Sequence, residues 1–256
     1  VILLFQPAEE AEHGGEKVVN TGMFEKYKIE KIFGLHTKQN MPVGTIAIAP
    51  GPFSAAVDRF LYTVKGMGCH GSAPQTGLDP IPAAARLVGS LQEIVSRRIS
   101  PTETAVISVT RFTSGTSWNI IPETARLEGT VRTFNPKVRE QIVKLMQAQA
   151  EGLEREGYQV EFTWIPGCPA TNNDANLAEL VRKEAMEEGF HVTLQHPEMG
   201  GEDFSCYQEL VPGAFFHVGA GGKYPAHNSK FTVDPAALFG ASKLMSEIVK
   251  KALKAS

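Results

Sequence analysis

Apolar positions along this chain follow three patterns, an unbroken run, an alternation, and a helical spacing, and each switch marks a new element. Val1 to Phe5 is an unbroken apolar run before Gln6-Pro7, the pattern of a central parallel strand covered on both faces; such a strand needs neighbours, and some are expected upstream of Val1. A polar helical stretch spans Glu10 to Thr21. Lys31 to His36 reads as a strand ending in a histidine, and Val43 to Ala49 as another, closed by the turn punctuation Pro50-Gly51-Pro52.

From about residue 56 the order changes. Asp58 to Lys65 alternates like a strand, and Asp79-Pro80 supplies a cap and first-turn proline to a helix with Leu87, Leu91 and Ile94 at helical spacing. Thr104 to Thr110 and Ala125 to Phe134 are two β-branched strands. Asn135-Pro136 opens a second helix with Val138, Ile142, Leu145 and Gln149 on one face, Gly157 ends it, and Tyr158 to Ile165 is a last strand. This β-α-β-β-α-β order is that of a ferredoxin-like sandwich. From about residue 167 the chain returns to α/β character: a helix at Asn176 to Glu188, a strand at His191 to Leu194, a Gly-Gly-Glu-Asp-Phe turn, a strand at Ala214 to Val218, and a glycine-rich loop holding His227. A closing helix is capped by Asp234-Pro235, with Leu238, Met245 and Ile248 inward. The fold class expected is α/β: an α/β domain of residues 1–54 and 167–256, interrupted by an inserted α+β domain of residues 55–166.

At 256 residues and 42% hydrophobic composition, the chain can bury a real core. A net charge of −3 with no basic stripe argues against nucleic acid and for a small-molecule or peptide substrate. No run approaches the roughly 18 apolar residues of a membrane span. Cys69, Cys168 and Cys206 are scattered and form no C-x-x-C pair, so neither a disulfide framework nor a thiolate zinc site is expected, and a reducing cytoplasm is the default setting.

Three groups of residues could carry chemistry. Glu9 and Glu10 follow the first strand, where ligands bind in open α/β sheets, and adjacent carboxylates pointing apart could divide metal binding from proton transfer; taken alone, such a pair is more often a solvated helix start. His36 and His227 lie at strand ends of the same α/β layer, and imidazole with carboxylate suits zinc, manganese, cobalt or nickel. His70 sits among small residues in Gly66 to Pro74, where it could donate to an oxyanion. Cys69 beside it raises a thiolate nucleophile, although neighbours on extended chain point apart. Asn119 and Arg132 could clamp a carboxylate, or be a turn asparagine and a surface arginine.

Taken in order, FQPAEE at Phe5 to Glu10, Gly34-Leu35-His36, the glycine-flanked HGSAP around His70, NIIP at Asn119, EGTVRTF at Glu128 to Phe134, Gly201 to Phe204, and His227-Asn228 resemble the dinuclear metal-dependent amidohydrolases and peptidases that include hippurate hydrolases, auxin-conjugate amidohydrolases, N-acetyl-diaminopimelate deacetylases and aminoacylases. The resemblance implies cleavage of the amide bond of N-acyl amino acids with two divalent metal ions. It also implies Glu9 as general base, and Glu10, His36 and His227 as metal ligands. His70 would be an oxyanion donor reaching into a partner subunit, Asn119 and Arg132 would bind substrate, and the inserted domain would be a lid through which a homodimer forms. Ala11 departs from the glycine usual in that family. The family's Cys-Gly-His-Asp-x-His segment does not occur in this chain, so residues 1 to 256 alone are expected to lack a metal pair and amidase activity. The rival reading is an inactive dimerisation or binding module.

Overall fold

The computed structural model describes residues 1–10 and 14–254. Helices α1 (Gly14–Val19) and α2 (Met23–Lys26) precede the strands β1 (Ile32–Lys38), β2 (Thr45–Ile48) and β3 (Gly51–Ser54). The middle of the chain forms β4 (Ala56–Lys65), β5 (Cys69–His70), α3 (Pro80–Glu93), β6 (Ala105–Ser114), β7 (Ile120–Ile121), β8 (Thr124–Thr133), α4 (Pro136–Arg155) and β9 (Gln159–Ile165). β10 (Thr171–Asn173), α5 (Ala175–Glu187), β11 (His191–Leu194), α6 (Ser205–Gln208), β12 (Gly213–Gly219) and α7 (Pro235–Lys254) complete it. The chain divides into two compact units, residues 1–55 with 169–256 and residues 56–168.

In the first unit a mixed sheet runs β1-β12-β2-β11. β12 lies inside it and all seven of its residues are buried. Its alternation sorts side chains between two cores: Ala214, Phe216 and Val218 pack with Ile46, Leu177, Val181, Leu244 and Ile248, whereas Phe215 packs with Phe24, Phe53, Phe204 and Tyr207. The helices that cover the sheet start where short polar side chains cap free amides. Asp174 accepts from the Asn176 and Leu177 N–H groups, and Asp234 from Ala236.

The second unit is an antiparallel sheet in the order β6-β8-β4-β9, with α3 and α4 packed against it. Phe60, Tyr62 and Val64, alternate residues of β4, meet Leu87, Leu91, Ile142 and Met146 in its core. Asp79 and Asn135 cap the two helices through the amides of Ile81 and Lys137, as their sequence positions predict.

Several expectations need correction. Val1 to Phe5 is not a buried strand: it has no regular structure, and Val1, Leu3 and Phe5 are 81%, 78% and 89% exposed. Among the described residues β1, at the sheet edge, pairs only with β12, and this apolar run pairs with no strand. Pro50-Gly51-Pro52 does not only turn the chain, because Gly51 already begins β3, which pairs antiparallel with β10. On α7 the buried stripe is Ala237, Ala241, Leu244, Ile248 and Ala252, and Leu238 faces out at 54% exposure. On α4 it is Met146 and Ala150 that are buried, with Leu145 and Gln149 at the margin. α1 begins at Gly14, with Glu9 and Glu10 in a turn before it. Ala11 and His13 lie outside the described residues.

Candidate active site

In the first unit, the turn at Glu9-Glu10, β1 with His36, the Glu202-Asp203 turn and the loop after β12 bring together the acidic and imidazole side chains. Glu9 accepts the backbone N–H of Asp203 and lies within the fields of Glu10, Asp203 and His36. Burial, reinforced by the Glu10 and Asp203 carboxylates, pushes its pKa above the usual carboxylate range. The His227 Nε2 atom stands 3.5 Å from Glu10 Oε1, both side chains being largely exposed. His227 holds a left-handed backbone, φ 65°, on the glycine-rich loop. β1 does not end at His36 but runs on to Lys38. His36 is exposed and its Nδ1 donates to the Thr37 carbonyl at 2.7 Å, which leaves Nε2 with the free lone pair a ligand needs.

Two acidic residues of the Gly-Gly-Glu-Asp-Phe turn join this neighbourhood, although the sequence reading used that turn only as a signpost. Glu202 is pushed up to about 7, first by burial and further by Glu9 and Asp203, against the Phe204 N–H at 3.2 Å and His36, which pull it down. Asp203, 4% exposed, accepts from Gly15 N at 2.8 Å and Gln6 Nε2 at 3.2 Å, and Tyr207 donates to Gln6 Oε1 at 2.5 Å. Nothing in local pattern marks these partners, because they are about 190 to 200 residues apart.

His217, opposite His36 in the β1–β12 ladder, is buried with its Nδ1 2.9 Å from Gln195 Oε1 and its ring 4.7 Å from that of Phe53. Burial, helped by the Lys38 ammonium, pushes its pKa down to about 4. Lys38 in turn pairs with Glu198.

Among the described residues, no group of three or more His, Cys, Asp and Glu side chains is arranged to hold a metal ion. The Glu10–His227 pair offers two donors, and one catalytic zinc takes three with water. The donors described here therefore do not complete a metal centre.

In the second unit, His70 on β5 pairs with Ile120 on β7, and the Gly71 N–H donates to the Asn119 carbonyl at 2.9 Å, so His70 and Asn119 are neighbours. His70 Nδ1 accepts from Ser72 N at 3.2 Å, which puts the ring proton on Nε2 as an outward donor. Cys69 points elsewhere, toward the Pro74 carbonyl. Arg132 is not beside Asn119. It stands opposite Val57 and Val106, seven residues along β8 from Ala125, where β6 ends, roughly 20 Å at strand rise. Its half-buried side chain makes no hydrogen bond or ion pair among the described residues.

Known proteins resemble this chain over nearly its whole length. The profile of the peptidase family M20/M25/M40 matches residues 1–251. An N-acetylcysteine deacetylase of Bacillus subtilis (strain 168) is 41% identical over 249 residues, 97% of this chain and 65% of that protein. An N-acetyldiaminopimelate deacetylase of Bacillus pumilus is 34% identical over 254 residues, covering 98% and 67%. The solved structure of a dinuclear metal-binding M20 peptidase from Bacillus subtilis superposes with a TM-score of 0.83 at 38% identity, over 98% of this chain and 64% of its own. The chain thus spans about two thirds of the length of these relatives.

Proposed function

The chain belongs to the peptidase family M20/M25/M40, and on that premise we propose that the whole protein is a metal-dependent amidohydrolase cleaving the amide bond of N-acyl amino acids or related small substrates. The observation that carries this reading is the convergence of Glu9, Glu10, His36, Glu202 and His227 in the first unit. The deacetylases it resembles act, by their names, on N-acetylcysteine and N-acetyldiaminopimelate, which favours a short acyl group.

In this reading Glu9 takes the proton of the attacking water and passes it to the leaving amine. A carboxylate whose pKa is raised by its surroundings is the stronger base for that task. Glu10, His36 and His227 are assigned as ligands toward two divalent ions, zinc, manganese, cobalt or nickel, with the remaining donors coming from outside the described residues. The outward Nε2–H of His70 donates to the oxyanion, Asn119 beside it contacts substrate, and Arg132, whose side chain has no partner among the described residues, takes the substrate carboxylate. Because Asn119 and Arg132 are far apart within the second unit, they serve one substrate most simply from two subunits. That supports a homodimer formed through the unit of residues 56–168, acting as lid and dimerisation domain. Scattered cysteines with no C-x-x-C pair fit a reducing, cytoplasmic setting, and among the described residues no helix is long and apolar enough to cross a membrane.

The test is hydrolysis of N-acetyl amino acids by the whole protein. Glu9→Gln is expected to keep its metal content and lose at least about a hundredfold in turnover, general-base catalysis being worth about 10²–10⁴. Glu10→Ala and His227→Ala are expected to lose metal together with rate. A Glu9→Gln enzyme turning over like the parent sinks the assignment of Glu9.

A further inference from the structure

Resting on the reading of Glu9 as the proton-transferring group, we propose that Asp203 is a positioning residue that clamps both ends of the Glu9-Glu10 turn, with Gln6 and Tyr207 as its second tier. One oxygen of its carboxylate accepts from the Gln6 side chain, three residues before Glu9, and from the Gly15 backbone, six residues after it. Its own backbone N–H goes to the Glu9 carboxylate. A single buried residue therefore holds the chain before the glutamates, the chain after them, and the reactive carboxylate itself. Tyr207 closes the set by donating to the other end of the Gln6 amide, so Gln6 can neither flip nor leave without stranding a buried partner.

The surroundings are shaped for this contact. A Cβ on Gly15 would lie 2.6 Å from the Asp203 carbonyl oxygen, and one on Gly14 would lie 1.6 Å from that of Pro7, so the chain after the glutamates comes this close only as Gly14-Gly15. Ala8, next to Glu9, holds a left-handed φ of 52°, a conformation a non-glycine residue keeps only when its surroundings hold it there. Were Asp203 needed for packing alone, an apolar residue would fill its place without the cost of burying a charge. Its hydrogen bonds go instead to the segment that carries Glu9.

The clamp makes a prediction that simple structural importance does not. Both side-chain bonds use one oxygen, so an asparagine at 203 retains them through its amide oxygen, and an alanine retains neither. In the whole protein, Asp203→Ala is expected to lower kcat for N-acetyl amino acid hydrolysis about a hundredfold, the scale of an ångström's misplacement, with KM within about threefold, and Asp203→Asn to recover most of that loss. Hydrogen exchange at the Gly15 amide reads the clamp without activity: protected in the parent and in Asp203→Asn, fast in Asp203→Ala. If Asp203→Ala does not fold, Gln6→Ala, which removes one side-chain arm, is expected to show the same kcat-selective loss to a smaller degree. Equal kcat in Asp203→Ala and the parent, an Asp203→Asn enzyme as poor as the alanine variant, or unchanged Gly15 exchange in Asp203→Ala each overturns the proposal. Glu9→Gln run in parallel separates the two readings, since full turnover there with Gly15 exchange still governed by residue 203 leaves the clamp standing and removes only the role of Glu9.

Discussion

At position 217 a histidine sits inside an entirely buried strand, between Phe53, Phe215 and the Gln195 amide, and this environment reverses its usual readiness to take a proton. Its pKa is pushed down to about 4 while the unfolded chain titrates near 6.5. Above about pH 6.5 the residue is neutral in both states and costs the fold nothing. Between about 6.5 and 4 the unfolded chain takes up the proton and the native one does not, so stability falls as pH falls, by at most about 3 kcal/mol. Replacing His217 with Gln should flatten the dependence of the melting temperature on pH within that window, as measured by thermal unfolding between pH 4 and 7. An unchanged slope would show that His217 does not titrate this way. Glu9 and Glu10 are the contrasting case: they were legible as candidates because they follow an apolar run and close the FQPAEE motif, whereas Asp203, Gln6 and Tyr207 were not assigned roles, since each is ordinary in its own local sequence.

Among the elements, β4 and α4 are joined by an ion pair as well as by core packing. Asp58, fully buried at the start of β4, takes the Arg139 guanidinium through both of its oxygens and also the Gly167 N–H at 3.1 Å. It ties the first strand of the second unit to the first turns of α4 and to the chain leaving β9. Asp58→Ala removes the two bonds from Arg139 and the one from Gly167 at a fully buried carboxylate, so it should cost roughly 3 kcal/mol, well beyond the roughly 1 kcal/mol expected for losing the Asn135 cap in Asn135→Ala. Denaturant unfolding of both variants checks the ranking. The caps themselves were readable, because Asp-Pro and Asn-Pro before a helical spacing specify a start locally. Asp58 was not, because it opens an alternating strand and looks like its solvent-facing neighbours until Arg139 is found against it.

For the whole molecule, the donor set makes a plain expectation: residues 1–256 alone should bind no metal pair, because Glu10, His227 and His36 are fewer donors than two ions take. Metal analysis after dialysis against zinc or manganese checks this, and two ions per chain would contradict it. Light scattering on the whole protein is expected to give a dimer, and a monomer would count against His70 and Asn119 acting across subunits. The sequence by itself determined the elements with strong local signals: the period-2 strands of the second unit, the capped helices, and the motif order that resembles the M20 peptidases. Those signals are short-range, set by backbone sterics, capping and side-chain period, so a single chain displays them. Tertiary structure alone decided the rest. It left Val1 to Phe5 exposed, since a strand exists only with a partner to bond. It set Arg132 a sheet's length from Asn119, since strand register, not sequence distance, fixes that separation. It also buried Asp203 and His217 among residues far along the chain, since burial and charge belong to a place in the fold and not to a stretch of sequence.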